Sequence, residues 1–295
     1  MGAAAGVLKP AVNFDASWPI AGSPDLGQYN ADAQQVVDFA VWQARDGSYQ
    51  LWSCIRNTKA PGETRLFHAW EGRSFDERNW RPVGIAQMTK ADAGELEGHI
   101  QAPYVVAHDS MFSMLYSSGG HIYLQTSTDG KRFSRRPLSA TQPWLFGAGN
   151  DARDRDPMIM RANNRWYVYY TGAPNQEGVV YARTSSDLVR WSEPTVVARG
   201  GSSGTGPLSA ECPQVVARDG GYYLFRTQRY GAQAQTTVYR STDPLMFGIN
   251  QDDKYLVTRL PIAAPEIMQV GGREYIAYLE SSLKGIRVAP LNWVH

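Results

Sequence analysis

The stretch Ala44-Arg-Asp-Gly-Ser-Tyr-Gln-Leu-Trp52 returns 173 residues later as Ala217-Arg-Asp-Gly-Gly-Tyr-Tyr-Leu-Phe225. Both copies have an Asp-Gly turn followed by alternating large apolar residues, a pattern typical of a β-hairpin that leads into a strand. Three further stretches have the same character, at 107–116, 161–170 and 270–278. The sequence therefore contains five related hairpins.

Two other markers give the length of the repeating unit. Four of the hairpins are preceded by a proline, at intervals of 54, 56 and 52 residues: Pro103, Pro157, Pro213 and Pro265. A Ser-x-Asp turn followed by an aromatic residue recurs with a similar period, at 127–133, 185–191 and 241–247. Repeats of about 50 residues that each hold several short strands are typical of propeller blades.

These patterns predict an all-β fold, a five-bladed β-propeller that forms a single domain. The five blades are expected in residues 36–295. Residues 1–35 are rich in Gly, Pro and Asp, and we expect them to form an N-terminal extension that packs on the propeller or lies at the lip of its funnel.

Charge and composition argue against several classes of function. The 295 residues include 29 basic and 28 acidic ones, a formal net charge of +1, which argues against nucleic acid as the main partner. No segment is long and apolar enough to predict a membrane span. Five scattered His and two separated Cys lack the spacing of a metal site, so we expect no metal and no cofactor. Cys54 and Cys212 lie in apolar, strand-like runs and are expected to be free thiols.

The N-terminal residues say little about localisation. Residues 1–11 lack the basic and continuous apolar regions of an intact signal peptide. Localisation stays open at this point, with a secreted or periplasmic protein that has lost its leader preferred over a cytoplasmic one. The oligomeric state is open as well.

Three carboxylates stand at comparable positions near the start of the first strand of three predicted blades. At the 173-residue offset Asp38 aligns with Glu211, and Asp156 precedes the proline of the third blade. The first strands of a propeller surround its central channel, so we expect these side chains to converge there. Carboxylates gathered in a partly desolvated space repel one another, and at least one pKa should rise. Glycoside hydrolysis needs such a pair, one acid protonated and the other ionised.

Two short motifs make a resemblance to known enzymes specific. Asp154-Arg-Asp-Pro157 and Ala210-Glu-Cys-Pro213 are similar to the Arg-Asp-Pro and Glu-Cys motifs of glycoside hydrolase family 32, the invertases and fructan hydrolases. The overall plan, one propeller without an appended β-sandwich, resembles family 43, the arabinofuranosidases and xylosidases. The resemblance implies an enzyme that cleaves a furanosidic or pentosidic bond in an oligo- or polysaccharide of plant or microbial origin.

The same resemblance implies a role for each residue. Asp38 would be the nucleophile of a retaining mechanism or the base that activates water in an inverting one. Glu211 would be the general acid. Asp156 would bind sugar hydroxyls and hold the acid in place, and Arg155 would help to position the sugar ring.

The first blade departs from both families. Family 32 carries Asn-Asp-Pro-Asn-Gly there and family 43 usually Asp-Pro, whereas this chain reads Val36-Val-Asp-Phe-Ala-Val-Trp42. Asp38 is therefore the weakest assignment of the three, fructose specificity is in question, and Asp32 and Asp25 are alternative candidates.

Four further residues are candidates for substrate binding. Gln101 opens the second blade and is expected to face the funnel, with His99 two residues before it. Trp144 lies in a loop ahead of the third blade and offers a surface on which a sugar ring can stack. Arg226 follows the fourth hairpin and reaches either the site or a neighbouring blade.

Three other functions compete with hydrolysis. A non-catalytic sugar-binding propeller would repeat its binding residues in every blade, whereas these inner positions differ from blade to blade. A sialidase-like enzyme needs six blades, an arginine cluster and a nucleophilic Tyr. A glycoside phosphorylase needs cations for phosphate, which Arg153, Arg155 and Arg226 could supply.

Overall fold

Short antiparallel strands make up most of the computed structural model, which describes residues 7–147, 153–250 and 252–295. Within these ranges the single α-helix is Asp252–Tyr255, and it is not long enough to cross a membrane. The strands form five sheets of four or five strands each. Each sheet is one blade, so the prediction of an all-β, five-bladed propeller in a single domain is confirmed.

The strands follow the chain blade by blade. Two short strands come first, β1 (Lys9–Val12) and β2 (Trp18–Gly22). Blade one contains β3 (Gln35–Gln43), β4 (Tyr49–Arg56), β5 (Leu66–Gly72) and β6 (Arg81–Gln87). Blade two contains β7 (Gln101–His108), β8 (Met111–Ser118), β9 (His121–Ser127) and the two-residue strands β10 (Ser134–Arg135) and β11 (Phe146–Gly147). Blade three contains β12 (Arg155–Ala162), β13 (Arg165–Gly172), β14 (Val179–Ser185) and β15 (Thr195–Arg199).

The last two blades complete the ring. Blade four contains β16 (Glu211–Arg218), β17 (Gly221–Arg229), β18 (Gln235–Ser241) and β19 (Leu256–Leu260). Blade five contains β20 (Glu266–Val270), β21 (Arg273–Leu279) and β22 (Gly285–Val294), and β22 pairs with both β1 and β2. Residues 9–22 of the predicted extension therefore belong to the fifth blade, and the propeller joins its two chain ends in one sheet.

The first strand of each blade lies innermost. β3 contacts β7, β7 contacts β12, β12 contacts β16, β16 contacts β20, and β20 returns to β3. Where the ring closes, the backbone N–H of Val41 on β3 donates to the buried carboxyl of Glu266 on β20 at 2.8 Å. Residues at the start of these five strands are thereby brought together around one axis.

The Ser-x-Asp turns and their aromatic residues connect neighbouring blades. In blade two the Ser127 hydroxyl accepts from the backbone N–H groups of Asp129 and Gly130, and Phe133 packs edge-on against Trp42 of blade one. Trp191 meets Phe146 of blade two in the same way. The recurring aromatic thus packs against the preceding blade, which explains why the motif repeats with the blades.

Candidate active site

A β-bulge recurs at the start of the inner strands. At this position each blade has one residue with a left-handed backbone, with φ between 38° and 55°: Asp38, Ala102, Asp156, Cys212 and Ala264. In blades one to four the pairing of the first two strands skips a position at this residue. Left-handed backbone is costly for residues other than Gly and persists where the surrounding structure requires it, often at functional sites. The recurrence of these bulges at the start of the inner strands, around the propeller axis, therefore indicates a functional site.

These five residues and the residue that follows each of them line one cavity on the propeller axis. The following residue is Phe39 in blade one and proline in the other four blades. Phe39 therefore takes the place of the proline that the first blade lacks. The five left-handed positions carry two carboxylates, one thiol and two methyl groups, so three of the five blades bring a reactive side chain to this ring. Glu266 of blade five also lines the cavity, and its carboxyl accepts the backbone N–H of Val41.

The register of blade one differs by one residue from the sequence alignment. Tyr49 pairs with Gln43, whereas its equivalent Tyr222 pairs with Ala217, so the first hairpin loop is one residue longer. The 173-residue offset holds for the second strand, but the inner strands are 174 residues apart. The alignment of Asp38 with Glu211 is therefore wrong: Asp38 corresponds to Cys212, and Glu211 precedes the bulge.

Asp38 lies half-buried at the bulge of β3, beside the thiol of Cys212. The Cys212 Sγ is 3.6 Å from its Oδ1. Burial, followed by the charge of Asp156, raises the pKa of Asp38 to about 6, while the charges of Arg65 and Arg56 oppose the rise. Asp38 can therefore exchange a proton near neutrality.

Glu211 is held by the arginine of the preceding blade. Arg155 Nε and Nη2 lie 3.2 and 3.1 Å from Glu211 Oε1, and the guanidinium also donates to the backbone oxygens of Arg153 and Pro207. Burial, followed by the charge of Asp156, raises the pKa of Glu211 to about 7, and Arg155 works against this. Glu211 therefore has a proton to give near pH 7 and a fixed orientation.

Asp156 is only 6% exposed, and its charge raises the pKa of both other carboxyls. Its Oδ2 accepts the backbone N–H of Cys212 at 3.0 Å and lies 3.3 Å from the Thr171 hydroxyl. Arg155 Nε is 3.9 Å from the same oxygen. The carboxyl oxygens of Asp38 and Asp156 and the Cys212 sulfur all lie within 4.8 Å of one another. The three predicted acids are therefore gathered in one place.

The same group contains the ligand types of a metal site, and it is the one cluster of this kind in residues 7–147, 153–250 and 252–295. Burial and the charges of the neighbouring carboxylates raise the pKa of the Cys212 thiol well above its usual value. A thiol that keeps its proton is a poor metal ligand, since metals bind the thiolate. The donor set fits proton transfer better than metal binding.

Gln101 and His99 both lie near the start of the second blade. Gln101 is buried and occupies in β7 the register of Arg155 and Glu211, just before the left-handed residue. His99 Nδ1 accepts the backbone N–H of Gly119 at 3.0 Å. Burial, followed by the charge of Arg65, lowers the pKa of His99, so its ring is neutral near pH 7. Their contact with substrate stays a prediction.

Trp144 and Arg226 are not among the residues that line the axial cavity. The Trp144 ring packs on His121 with ring centroids 4.0 Å apart, at the first residue of the third strand of blade two. Arg226 is 1% exposed and donates to backbone oxygens of the loop that precedes Glu211: Gly200, Gly204 and Ser209. Burial under this loop does not fit the predicted contact with substrate. Arg226 instead anchors the loop that leads into β16.

The alternative acids of the N-terminal region are outside the cluster. Asp25 is exposed and accepts from the backbone N–H of Gly27 and from Asn30, as a turn residue does. Asp32 is exposed as well. Neither lines the axial cavity.

Three further residues belong to the site although the sequence did not mark them as candidates for catalysis or binding: Cys212, Tyr230 and Arg65. The Tyr230 hydroxyl is 3.3 Å from Cys212 Sγ, and Tyr230 is close enough to all three carboxylates for their charges to raise its pKa, after burial. Tyr230 directly follows β17, whose pairing with β16 returns the chain to the end of the blade that holds Glu211. The predicted antiparallel pairing of these two strands could therefore have indicated, from the sequence, that Tyr230 lies near Glu211.

Comparisons with known proteins agree with this geometry. The profile described as glycosyl hydrolases family 43 matches residues 62–259, well over half of the chain. The chain belongs to this family. No curated protein sequence matches it. The predicted resemblance is therefore confirmed, and the protein is a glycoside hydrolase.

Solved structures of similar fold include members of both predicted families. A thermostable family 43 glycoside hydrolase has a TM-score of 0.63 at 19% identity, over 91% of this chain and 93% of that one. An endo-1,4-β-xylanase from Bacteroides thetaiotaomicron has a TM-score of 0.66 at 16% identity, over 91% and 96%. A family 32 β-fructofuranosidase from Bombyx mori, in complex with sucrose, has a TM-score of 0.63 at 17% identity, over 94% and 62%. This family 43 enzyme therefore spans less than two thirds of the insect protein.

The family match covers two of the three acids. Asp156 and Glu211 lie inside residues 62–259 of the family 43 enzyme, and Asp38 lies before them. The placement of Asp38 rests on its position in the ring of bulges and on its distance from Cys212 and Asp156. These contacts assign it to the same site.

Proposed function

We propose that this family 43 glycoside hydrolase cleaves a furanosidic or pentosidic bond of an oligosaccharide, with Glu211 as general acid and Asp38 as nucleophile or base. The observation that carries the proposal is the pair of carboxyls whose pKa values are raised to about 6 and about 7 in one axial site. Between those values Asp38 is ionised and Glu211 protonated, the division that glycoside hydrolysis needs.

The residues have the following parts in the reaction. Glu211 gives its proton to the glycosidic oxygen as the bond to the anomeric carbon breaks, and Arg155 holds its carboxyl in place. Asp38 attacks the anomeric carbon, or removes a proton from the water that does. In the first case a glycosyl–Asp38 ester forms, and a water deprotonated by Glu211 then attacks the anomeric carbon and releases the Asp38 carboxylate. In both cases the sum of the steps adds one water across the glycosidic bond. Asp156 accepts hydrogen bonds from sugar hydroxyls, and these strengthen as positive charge develops on the ring.

The substrate class follows from the family and from proteins of similar fold. One of these is described as a β-xylosidase/α-arabinofuranosidase in complex with xylotriose, and another as an endo-arabinase. We therefore place xylo- and arabino-oligosaccharides first among the substrates to be tested.

The competing functions have less support. Tyr230 keeps its proton because burial and the carboxylates raise its pKa, which does not suit the nucleophile of a sialidase. Arg155 is paired with Glu211 and Arg226 is buried under a loop, so two of the three arginines considered for phosphate are engaged. A phosphorylase would have to bind phosphate with other cations.

A substrate panel tests the proposal. Aryl α- and β-furanosides and pentopyranosides, together with xylo- and arabino-oligosaccharides, are incubated with the protein, with and without inorganic phosphate. We expect release of sugar from at least one of them without phosphate. Strict dependence on phosphate, with a glycosyl phosphate as product, would establish the phosphorylase instead. Binding of the oligosaccharides by calorimetry without any turnover would establish a sugar-binding propeller.

The pH dependence of the reaction follows from the two acids. Asp38 must be ionised, so kcat/KM should fall as the pH drops through about 6. Glu211 must be protonated, so kcat/KM should fall as the pH rises through about 7. We expect a narrow bell-shaped profile with its maximum between these values, measured on an oligosaccharide. In the Glu211→Gln variant the alkaline limb should disappear, and an unchanged alkaline limb would contradict the assignment.

A further inference from the structure

The thiol of Cys212 stands in the ring of bulges at the position that carries a carboxylate in blades one and three. Its Sγ is 3.6 Å from Asp38 Oδ1, 3.8 Å from Asp156 Oδ2 and 3.3 Å from the Tyr230 hydroxyl. The sulfur is therefore in contact with both acids of the ring and with a phenol. A thiol has a single proton, so its direction of donation decides which acid it serves.

The surroundings favour donation to Asp38. Asp156 Oδ2 already accepts the backbone N–H of Cys212 and lies beside the Thr171 hydroxyl and the guanidinium of Arg155. Asp38 accepts no other hydrogen bond from the part of the chain that the structure describes. A buried carboxylate without a donor is costly, and the S–H group is the donor within reach.

Tyr230 completes the chain of hydrogen bonds. Its hydroxyl keeps its proton, because burial and the nearby thiol and acids raise its pKa. The sulfur lone pairs are free to accept that proton when the S–H points to Asp38. Hydrogen bonds in series polarise one another, so the phenol makes the thiol a better donor than it is alone.

We propose that Tyr230 and Cys212 form a relay, phenol to thiol to carboxylate, that orients Asp38 and stabilises its ionised form for the reaction. Both are positioning residues, since they act through Asp38. This inference rests on the proposed function, in which Asp38 is the group that works in the ionised state.

Other charges also act on Asp38, and the test has to separate them from the relay. The titratable and charged groups around it are Asp156, Glu211, Cys54, Tyr230, Arg65 and Arg56. None of these groups is substituted in a Cys212 variant. A change in the titration of Asp38 after substitution of Cys212 therefore reports the loss of the thiol.

Three variants and one control are compared. Cys212→Ala removes the donor, Cys212→Ser keeps a hydroxyl donor at the same position, and Tyr230→Phe removes only the phenol O–H. Cys54→Ala is the matched control, since Cys54 is a second buried free thiol next to the bulge and has no hydrogen bond to Asp38 in the described residues. Thermal unfolding of each variant verifies the fold.

The measured quantity is the acidic limb of kcat/KM against pH. We expect Cys212→Ala to move it upward by about half a unit to one unit, the scale of a weak hydrogen bond to a charged group. Tyr230→Phe should move it in the same direction by less, and Cys212→Ser and Cys54→Ala should leave it near the wild-type position. An unmoved limb in Cys212→Ala, or an equal shift in Cys212→Ser, overturns the relay.

A second measurement is independent of turnover. The titration of the Asp38 carboxyl is followed by carbon-13 NMR with labelled aspartate, and the signal is assigned with Asp38→Asn. If no glycoside is cleaved but the Asp38 pKa still rises in Cys212→Ala, the proposed function fails and the relay stands. If glycosides are cleaved and the Asp38 titration is unchanged in Cys212→Ala, the relay fails alone.

Discussion

Replacing Glu211 with Gln is expected to lower kcat/KM on a xylo- or arabino-oligosaccharide by at least about a hundredfold, the scale of a lost general acid. The amide has the shape of the carboxyl, and its oxygen still accepts from Arg155, so the geometry of the site is preserved. What the variant loses is the proton for the leaving oxygen. The measurement is a comparison of initial rates at the wild-type pH optimum.

The loss of activity in Glu211→Gln should depend on the leaving group of the substrate. On a nitrophenyl glycoside the loss should shrink, because so good a leaving group needs little protonation. The control is Glu177→Gln, since Glu177 is a glutamate near an arginine, with 3.9 Å between its Oε2 and Arg199 Nη1, and its charge is not among those that shift the pKa of Asp38 or Glu211. It should keep wild-type rates on both substrates. Equal activity of Glu211→Gln and wild type on the oligosaccharide refutes the role of Glu211.

Replacing Asp38 with Asn is expected to reduce kcat/KM by about a thousandfold or more, whatever the leaving group. Asp38 acts on the bond that forms at the anomeric carbon, so a better leaving group cannot compensate for its loss. Initial rates on an oligosaccharide and on a nitrophenyl glycoside should therefore fall by similar factors. This pattern is the opposite of that for Glu211 and separates the two roles.

Asp32→Asn is the matched control for this experiment. Asp32 is six residues earlier in the same region and is exposed, away from the axial cavity. Wild-type activity of Asp32→Asn together with a large loss in Asp38→Asn supports the assignment. A large loss in Asp32→Asn together with wild-type activity in Asp38→Asn would assign the nucleophile or base to Asp32. It would also contradict the assignment of Asp38 from its position in the ring of bulges.

Much of the fold could be predicted because a propeller repeats its local signals. The Asp-Gly hairpins, the prolines ahead of them and the Ser-x-Asp turns each recur once per blade, and each is a property of a short stretch of chain. Asp156 and Glu211 could be identified for the same reason. Asp156 directly precedes Pro157, and Glu211 lies two positions before Pro213. Asp38 had no such neighbour, and its position followed only from the alignment of two hairpins.

That alignment also shows the limit of local signals. The first hairpin loop has one residue more than the fourth, and sequence similarity in the second strand hides the shift in the first. A displacement by one residue changes which side chain stands at the bulge. Sequence similarity therefore aligns Asp38 with Glu211, whereas the residue at the equivalent position of blade four is Cys212.

The sequence by itself determined the number of blades, the all-β architecture and the two acids that lie in short motifs, Asp156 and Glu211. Each of these depends on residues that are near one another in the chain. Tertiary structure alone decided that Cys212 contacts Asp38, that Tyr230 contacts Cys212 and that Arg226 is buried under a loop. The contact between Asp38 and Cys212 joins residues 174 positions apart. Burial and charge at such contacts raise the pKa values on which the chemistry depends, and both arise only when the ring of blades closes.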